Sequence, residues 1–398
     1  MTDHHKPDFI HFAKPSIGEE EIAEVGRCLR SGWVTTGPMT RRFEAEFAAR
    51  IGARHALAVN SATAGLHLAL EAMGVGPGDR VAVPVHTFTA SAEVVRYLGA
   101  DPLFVDVEPD TLNLDARRLD EELGRHGPVK AIMPVHFAGQ ACDMDAILDI
   151  ARRHGSQLIE DAAHSFPTSC SGRLIGTIGK ATVFSFYATK TITTGEGGMV
   201  VTDDDALAER VKVMRLHGIS RDVFDRYTSN KPSWFYEVIA PGFKYNMTDV
   251  AAALGVHQLK RAEDFRSRRE AIARAYDAAF RGLPVDLPAV RRPADTHAWH
   301  LYVLQLRLNA LAITRDEFIT RLAEAGVGTS VHFIPLHLQP YWRDRYALRP
   351  EDFPVASRQF RRIVSLPIYP AMTDGEVARV IQAVTSLLES ATIREVVA

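Results

Sequence analysis

Hydrophobic positions between residues 55 and 205 follow two alternating periods. Short apolar runs rich in β-branched residues alternate with longer stretches in which apolar residues recur at helical spacing, a pattern that predicts a mostly parallel sheet with covering helices. The strands predicted in this way are 80–86, 102–108, 130–136, 157–163, 181–187 and 198–203. The amino-terminal part of the chain is therefore expected to form an α/β domain.

Two of the intervening segments carry clear helix signals. SATAGLHLALEAMG (61–74) combines apolar spacing with a serine at the N-cap position, and DMDAILDIARRHG (143–155) begins on an acid and stops at a glycine. Both segments predict helices that connect successive strands.

The pattern changes after Thr248, where the segment to about Phe280 predicts one long helix or two. Beyond it, an α+β alternation is formed by the runs 301–308, 315–326, 327–333, 362–368 and 375–390. We therefore predict a large domain at 1–258 and a smaller α+β domain at 259–398, in agreement with about two or three units for this length.

Composition narrows the class of protein. Hydrophobic residues make up 46% of the 398 residues and charged residues 24%, as in ordinary soluble globular proteins. The formal net charge of -3 and the lack of basic runs argue against nucleic-acid binding, and no apolar stretch of about 18 residues predicts a membrane span.

Cysteine usage and the amino terminus favour a cytoplasmic protein without a metal site. The amino terminus has no apolar signal-peptide region, and the three cysteines are widely spaced, with no CxxC pair. His4 and His5 could form a metal-binding tract, but a frayed polar terminus is the favoured interpretation. We therefore expect no metal.

Candidate chemistry begins where a predicted strand ends in QLIEDAAHS (157–165). Ligands of open α/β sheets bind at the carboxyl ends of strands, which places Glu160, Asp161 and His164 near the expected crevice. A carboxylate there could equally cap a helix or pair with an arginine. The segment FSFYATKTITTGEGG (184–198) favours function, because Lys190 stands alone between a strand and a glycine-rich turn.

These residues suit pyridoxal phosphate. A lysine that forms a Schiff base must lose its proton in a partly desolvated site, and an acid must hold the proton on the cofactor ring nitrogen. Lys190 and Asp161 match these two needs. The cofactor phosphate needs backbone N–H groups at a helix start, which Ser61, Ala62 and Thr63 can provide.

SATAGLHLAL, IEDAAHS, FSFYATK and GEGGMVVTDD resemble the DegT/DnrJ/EryC/StrS sugar-nucleotide aminotransferases, which are fold type I pyridoxal-phosphate enzymes with an aspartate aminotransferase-like fold. The resemblance runs from SGWVTTGP (31–38) to SLPIYPAMT (365–373). It implies that Lys190 binds the cofactor and acts as general base, that Asp161 pairs with the ring nitrogen, and that His164 lies beside the ring. It also implies that Ala62, Thr63 and Ser185 hold the phosphate. Phe88 would stack on the opposite face of the ring.

The family resemblance implies amino transfer from an amino acid, L-glutamate by analogy, to a nucleotide-linked keto sugar. The segment GFKYNM (242–247) departs from the commoner G-x-N-x-R-M and resembles the branch that makes UDP-4-amino-4-deoxy-L-arabinose, which implies a 4-keto acceptor. In the family this segment reaches the active site of the other subunit, so a homodimer with shared sites is expected. Of Lys244 and Asn246, we predict that Asn246 contacts the phosphate.

Other interpretations are a sugar dehydratase of the same cofactor class and a regulatory relative without catalysis. Dehydratase relatives lose the Schiff-base lysine, which this chain keeps. The glycines of GEGG lack dinucleotide-binding spacing and precede a strand, so nicotinamide binding is not expected. His332 and His337 could contact a metal or a sugar diphosphate, or have a structural role.

Overall fold

A central sheet of seven strands organises the computed structural model, which describes residues 9–220 and 236–393. In chain order the first nine strands are β1 (His55–Val59), β2 (Arg80–Pro84), β3 (Asp101–Val105), β4 (Ala131–Ile132), β5 (Gln157–Asp161), β6 (Ser169–Cys170), β7 (Arg173–Leu174), β8 (Ala181–Ser185) and β9 (Gly198–Thr202). β6 and β7 form a separate hairpin. The sheet order is β1-β9-β8-β5-β4-β2-β3, and only β9 is antiparallel to its neighbours. The predicted mostly parallel α/β sheet is confirmed.

Helices cover both faces of this sheet. They are α1 (Glu19–Ser31), α2 (Pro38–Ile51), α3 (Ala62–Ala72), α4 (Ala90–Tyr97), α5 (Ala116–His126), α6 (Met144–His154), α7 (Asp205–Met214), α8 (Asp249–Lys260) and α9 (Ala262–Phe280). Alternate strand residues enter two cores, because successive side chains of a strand point to opposite faces. Leu57 and Val59 pack with α3, α4 and α7, whereas Ala56 and Ala58 pack with α2, α5, α6 and α8.

The predicted helix signals agree with the observed helix ends. The Ser61 hydroxyl accepts a hydrogen bond from the Ala64 N–H (3.1 Å), and the Asp143 carboxylate accepts one from the Ala146 N–H (3.4 Å). Gly155 ends α6 in the left-handed conformation, with a φ of 66°. The segment after Thr248 forms two helices, α8 and α9, rather than one.

The carboxy-terminal part builds a smaller α+β unit around a three-stranded antiparallel sheet. Its elements are β10 (Val285–Asp286), β11 (Tyr302–Leu306), α10 (Arg315–Glu324), α11 (Pro340–Tyr346), α12 (Pro354–Phe360), β12 (Ile363–Leu366) and α13 (Asp374–Ala391). Short 3₁₀ turns occur at Phe137–Gly139, Leu308–Ala310, Leu336–Leu338 and Pro350–Asp352. Tyr276 of α9 and Tyr302 of β11 are buried in its core, which Ile10 also joins. The boundary between 258 and 259 stays a prediction.

Two predicted strands are shorter than expected. The run 130–136 pairs as a strand only at Ala131–Ile132, because Pro134 has no N–H to continue the ladder. The run 327–333 makes only single bridges, through Val327 and Ser330. Within residues 9–220 and 236–393, no helix is long and apolar enough to span a membrane. His4 and His5 lie outside the described residues.

Candidate active site

A cavity of about 460 Å³ opens at the carboxyl ends of β1, β2, β5 and β8. This volume is within the usual range for small-molecule sites. The predicted site residues that line it are Ser61, Ala62, Thr63, Phe88, Asp161, His164, Ser185 and Lys190. Of the residues predicted to bind the cofactor, only Asn246 lies elsewhere.

Lys190 follows β8 in a turn in which its backbone N–H donates to the carbonyl of Tyr187 (2.9 Å). Its side chain is half-buried in the cavity. Burial lowers the pKa of Lys190 to about 8, because the ammonium loses hydration, while the charge of Asp161 acts in the opposite direction. An amine with this pKa is partly neutral near physiological pH, so it can act as a nucleophile and as a proton acceptor.

Asp161 is the last residue of β5 and is buried in the cavity wall. Its carboxylate accepts hydrogen bonds from the Ser91 hydroxyl (2.8 Å) and from the Ala163 N–H (3.1 Å). Burial raises the pKa of Asp161, although both hydrogen bonds and the charge of Lys190 favour the ionised form. A cationic ligand group such as a protonated ring nitrogen would stabilise this buried carboxylate.

His164 is held as a neutral imidazole. Its Nδ1 accepts a hydrogen bond from the Ala138 N–H (3.3 Å), which places the proton of the neutral ring on Nε2. Burial, together with the charge of Lys190, lowers the pKa of His164 well below its usual value. Phe88 also lines the cavity and has 58% of its surface exposed. A planar ligand ring can therefore meet aromatic groups in this cavity.

The start of α3 forms the anion-binding end of the cavity. The N–H groups of Ala62 and Thr63 belong to the first helical turn and have no partner within the helix, so they and the helix dipole favour an anion. Gly198 of β9 presses against this turn, since a Cβ there would lie 2.7 Å from both the Ala62 nitrogen and the Ser61 carbonyl carbon. Ser185 adds a hydroxyl at the end of β8. Glycine at 198 keeps the turn accessible.

Lys244 and Asn246 lie together near the end of β1 but outside the cavity lining. The Lys244 ammonium donates to Asn246 Oδ1 (2.7 Å), and the Asn246 amide donates to the Thr36 hydroxyl (2.6 Å). Asn246 also forms a single bridge with Val59. Within one chain, the structure thus does not bring Asn246 to the cofactor-binding residues.

The two histidines of VHFIPLHLQPYW separate in the structure. His332 lines the cavity, and its Nδ1 lies 2.9 Å from the Ser365 hydroxyl. His337 is buried away from it, hydrogen-bonded to Ser357 (2.8 Å), so it has a structural role. Among the described residues, no group of three or more His, Cys, Asp or Glu side chains could hold a metal ion.

Glu160 is not in the cavity, although it precedes Asp161. Because neighbouring strand residues face opposite sides of a sheet, Glu160 points into the buried side, where Thr182 (2.8 Å) and the Gly179 N–H (2.7 Å) donate to its carboxylate. His136 completes this network at 2.9 Å. Glu160 is therefore structural.

Several cavity residues were not identified from the sequence. Ser91 follows the HTFTA segment and holds Asp161, as described above, and His300 is part of HAWHLYV. The other polar or aromatic ones are Thr87, Tyr187, Thr189, Glu196 and Phe333, and the small or apolar ones are Leu66, Ala90, Val135, Ala163 and Gly197. Ser91 could have been suspected because its hydroxyl lies one helical turn after Phe88. The orientation of this hydroxyl toward β5, however, depends on packing.

His300 forms a wall of the cavity beside His164, with ring centroids 4.4 Å apart. A buried guanidinium fixes the backbone at this point: Arg269 of α9 donates to the carbonyls of Trp299 (3.3 Å), His300 (3.3 Å) and Ile368 (2.6 Å). Burial lowers the pKa of Arg269 to about 10. The smaller unit thereby sets the position of His300.

The residues present fit pyridoxal phosphate. An amine of lowered pKa, a buried carboxylate that needs a cation and an anion-binding helix start surround one cavity, and they match the aldehyde, ring nitrogen and phosphate of that cofactor. The fold is that of the fold type I pyridoxal-phosphate enzymes.

Comparisons with known proteins agree with this site. The DegT/DnrJ/EryC1/StrS aminotransferase family model matches residues 15–385. The spore coat polysaccharide biosynthesis protein SpsC of Bacillus subtilis is 49% identical over 384 residues, covering 96% of this chain and 98% of that protein. The PLP form of Spr1654 from Streptococcus pneumoniae has a TM-score of 0.88 at 32% identity and covers 96% of this chain and 99% of its own.

A further solved structure, Helicobacter pylori PseC, is an aminotransferase involved in the biosynthesis of pseudoaminic acid. It has a TM-score of 0.86 at 26% identity, covering 96% of this chain and 100% of its own. The chain therefore belongs to the DegT/DnrJ/EryC1/StrS aminotransferase family and is a sugar aminotransferase that uses pyridoxal phosphate.

Proposed function

We propose that the enzyme transfers an amino group from L-glutamate to a 4-keto sugar attached to a nucleotide. The observation that carries this proposal is the single cavity in which Lys190, Asp161 and the start of α3 lie together, with polar side chains around the remaining space. Both substrates react in turn at one site, so that site must accept an amino acid and then a sugar.

Three residues of the cavity have distinct roles in the proposed amino transfer. Pyridoxal phosphate, when bound, supplies the electron sink that stabilises negative charge at the carbon losing a proton. The Lys190 amine would hold the cofactor and, when free, would act as the base that accepts the proton lost by the donor carbon. The Asp161 carboxylate would hold the proton on the ring nitrogen, and His164 would lie beside the ring as a neutral group.

Sequence resemblance supports the acceptor. GFKYNM (242–247), PVHFAGQACDMDAI (134–147) and HAWHLYV (297–303) resemble the branch that makes UDP-4-amino-4-deoxy-L-arabinose. SpsC is by its name a protein of spore coat polysaccharide biosynthesis. We infer that the present enzyme likewise supplies an amino sugar for a polysaccharide. Its Lys190 favours amino transfer over dehydration, because dehydratase relatives lack this lysine.

A substrate panel tests the proposal. The holoenzyme should absorb near the visible edge, and borohydride should fix the cofactor on Lys190. UDP- and dTDP-linked 4-keto sugars, each offered with glutamate, glutamine, aspartate or alanine, should give an aminated nucleotide sugar with glutamate as the best donor. Mass spectrometry and NMR of the product identify the position of the new amine. If only sugars without a nucleotide are aminated, or a 3-keto isomer is preferred, the proposed acceptor is wrong.

We also propose a homodimer with shared active sites. Lys190 is the only lysine or arginine among the described residues that line the cavity. The cofactor phosphate and the donor carboxylates are anions, so a further cation would stabilise their binding. A neighbouring chain could supply the ammonium of Lys244 and the amide of Asn246 through its 242–247 segment.

Complementation between two inactive chains tests the shared site. A Lys190→Ala chain and a chain carrying Lys244→Ala and Asn246→Ala should each be inactive alone. In a mixed dimer one site contains Lys190 and an intact 242–247 segment from the other chain, so activity should return to about half of the wild-type level per mixed dimer. Native mass spectrometry should report subunit exchange in the same samples. Confirmed exchange without activity, or an active monomer, would contradict the model.

We propose that the reaction takes place in the cytoplasm. Cys28, Cys142 and Cys170 are free and buried, an arrangement typical of proteins kept in a reducing compartment. Burial raises the pKa of all three thiols, so they are poorly reactive.

A further inference from the structure

The turn between Lys190 and β9 is built so that it presents a single side chain to the cavity. The Thr194 hydroxyl donates to the Glu196 carbonyl (2.7 Å), and the Gly195 N–H donates to the Thr193 hydroxyl (2.9 Å). A Cβ on Gly197 would lie 2.2 Å from the Thr194 hydroxyl oxygen. The backbone of the turn is therefore fixed, and among residues 191–197 Glu196 is the only one whose side chain lines the cavity.

Glu196 lines the same cavity as Lys190, and its side chain is exposed there. None of the described residues forms a hydrogen bond or an ion pair with its carboxylate, whereas the cavity's other acid, Asp161, is held by Ser91 and Ala163. A rigid turn thus places an acceptor-only group with open hydrogen-bonding capacity in the substrate space.

The charge of Glu196 is unfavourable for most of what enters this cavity. The cofactor phosphate, the donor carboxylates and a nucleotide diphosphate are all anions, and a nearby carboxylate repels them. Sugar hydroxyl groups are the exception, because a carboxylate accepts two hydrogen bonds from neighbouring hydroxyls and such charge-assisted bonds are strong. We propose that Glu196 is a specificity-determining residue that binds hydroxyl groups of the keto sugar.

The affinity of the Glu196→Gln enzyme for a sugar nucleotide tests this proposal, because a hydrogen-bonding role and a merely repulsive role predict changes in opposite directions. The holoenzyme before amination binds a keto sugar without converting it, because the amino group to be transferred is absent. Removing a negative charge should tighten the binding of any anion that Glu196 merely repels. We expect instead that a UDP-linked 4-keto sugar binds about tenfold more weakly in calorimetry, since a hydrogen bond to a charged group is lost, while UDP binds as well as before or more tightly.

Half-reactions give a second readout on the same variant. Loss of the visible band on mixing with L-glutamate should be as fast as in the wild type or faster, whereas its return with the keto sugar should slow about tenfold at low sugar concentration. Glu209→Gln is the matched control, because Glu209 is exposed on α7 and pairs with Lys212 (3.8 Å) outside the cavity. It should change neither half-reaction.

Three results would overturn the role of Glu196: unchanged or tighter sugar binding in Glu196→Gln, an equal loss for UDP and for the sugar nucleotide, or a wild-type enzyme that binds the sugar nucleotide no better than UDP. The inference rests on the proposed nucleotide-linked acceptor, and the two can fail separately. A panel without an aminated nucleotide sugar would reject the proposed function, whereas the binding comparison addresses the sugar contact itself.

Discussion

Lys190→Ala should abolish amino transfer and leave the fold intact. The general base contributes about 10²–10⁴-fold to the rate, and the covalent attachment of the cofactor is lost as well. The side chain lies in a cavity and forms no hydrogen bond with the described residues, so the melting temperature of the apoprotein should change little. Turnover with glutamate and a keto sugar, together with the visible absorbance band, measures the effect.

Two further lysine variants sharpen this result. Lys190→Arg should be equally inactive, because a guanidinium keeps its proton at any accessible pH. A small external amine should partly rescue Lys190→Ala, where space is available, but not Lys190→Arg. Lys180→Ala is the matched control, since Lys180 is an exposed residue that donates to Gln157 (3.0 Å). Wild-type rates in Lys190→Ala without added amine would remove Lys190 from the mechanism.

Asp161→Asn should retain the cofactor but slow both half-reactions by about 10²–10³-fold, the usual cost of removing one preorganised electrostatic contact. The amide is neutral and cannot stabilise the proton on the ring nitrogen, so the electron sink is weakened. Stopped-flow absorbance at saturating glutamate separates this effect from weaker binding of the donor.

Ser91→Ala is a milder change that affects the same carboxylate. It removes the 2.8 Å hydrogen bond to Asp161 but leaves the carboxylate, so its effect should be much smaller than that of Asp161→Asn. The same rate loss in both variants would mean that the position of Asp161, rather than its charge, limits the reaction. Normal kinetics in Asp161→Asn would assign the ring-nitrogen contact to another residue.

Hydrophobic periodicity was sufficient for the strands that carry a clear apolar run, including the edge strand β3 and the antiparallel β9. It failed for β1 (His55–Val59), a short run with two alanines whose strand conformation depends on pairing with the distant β9. It overestimated β4, because the periodic signal continues beyond Ile132, whereas Pro134 has no N–H and Val135 pairs with β5 only through a single bridge to Asp161. Periodicity reports burial, whereas strand ends depend on hydrogen bonds to partners.

The cavity residues that could be predicted are those that lie at or shortly after the carboxyl end of a strand in the sequence. Asp161, Ser185 and Lys190 follow this rule, because the sheet brings the carboxyl ends of its strands to one edge. The position of Ser91 in the cavity depends on the orientation of α4, and that of His300 depends on how the smaller unit packs against the sheet. Neither is encoded by local spacing, so neither was found from the sequence.

The buried Arg269 has a consequence for altering the acceptor range of this enzyme by laboratory evolution. Its guanidinium ties α9 to the backbone of His300 and Ile368. Three residues that line the cavity, His300, His332 and Phe333, belong to the smaller unit, whereas Lys190 follows strand β8 of the central sheet. Substitutions in the core of the smaller unit should therefore shift these walls together, and selected variants with new acceptors should often carry changes that touch no substrate.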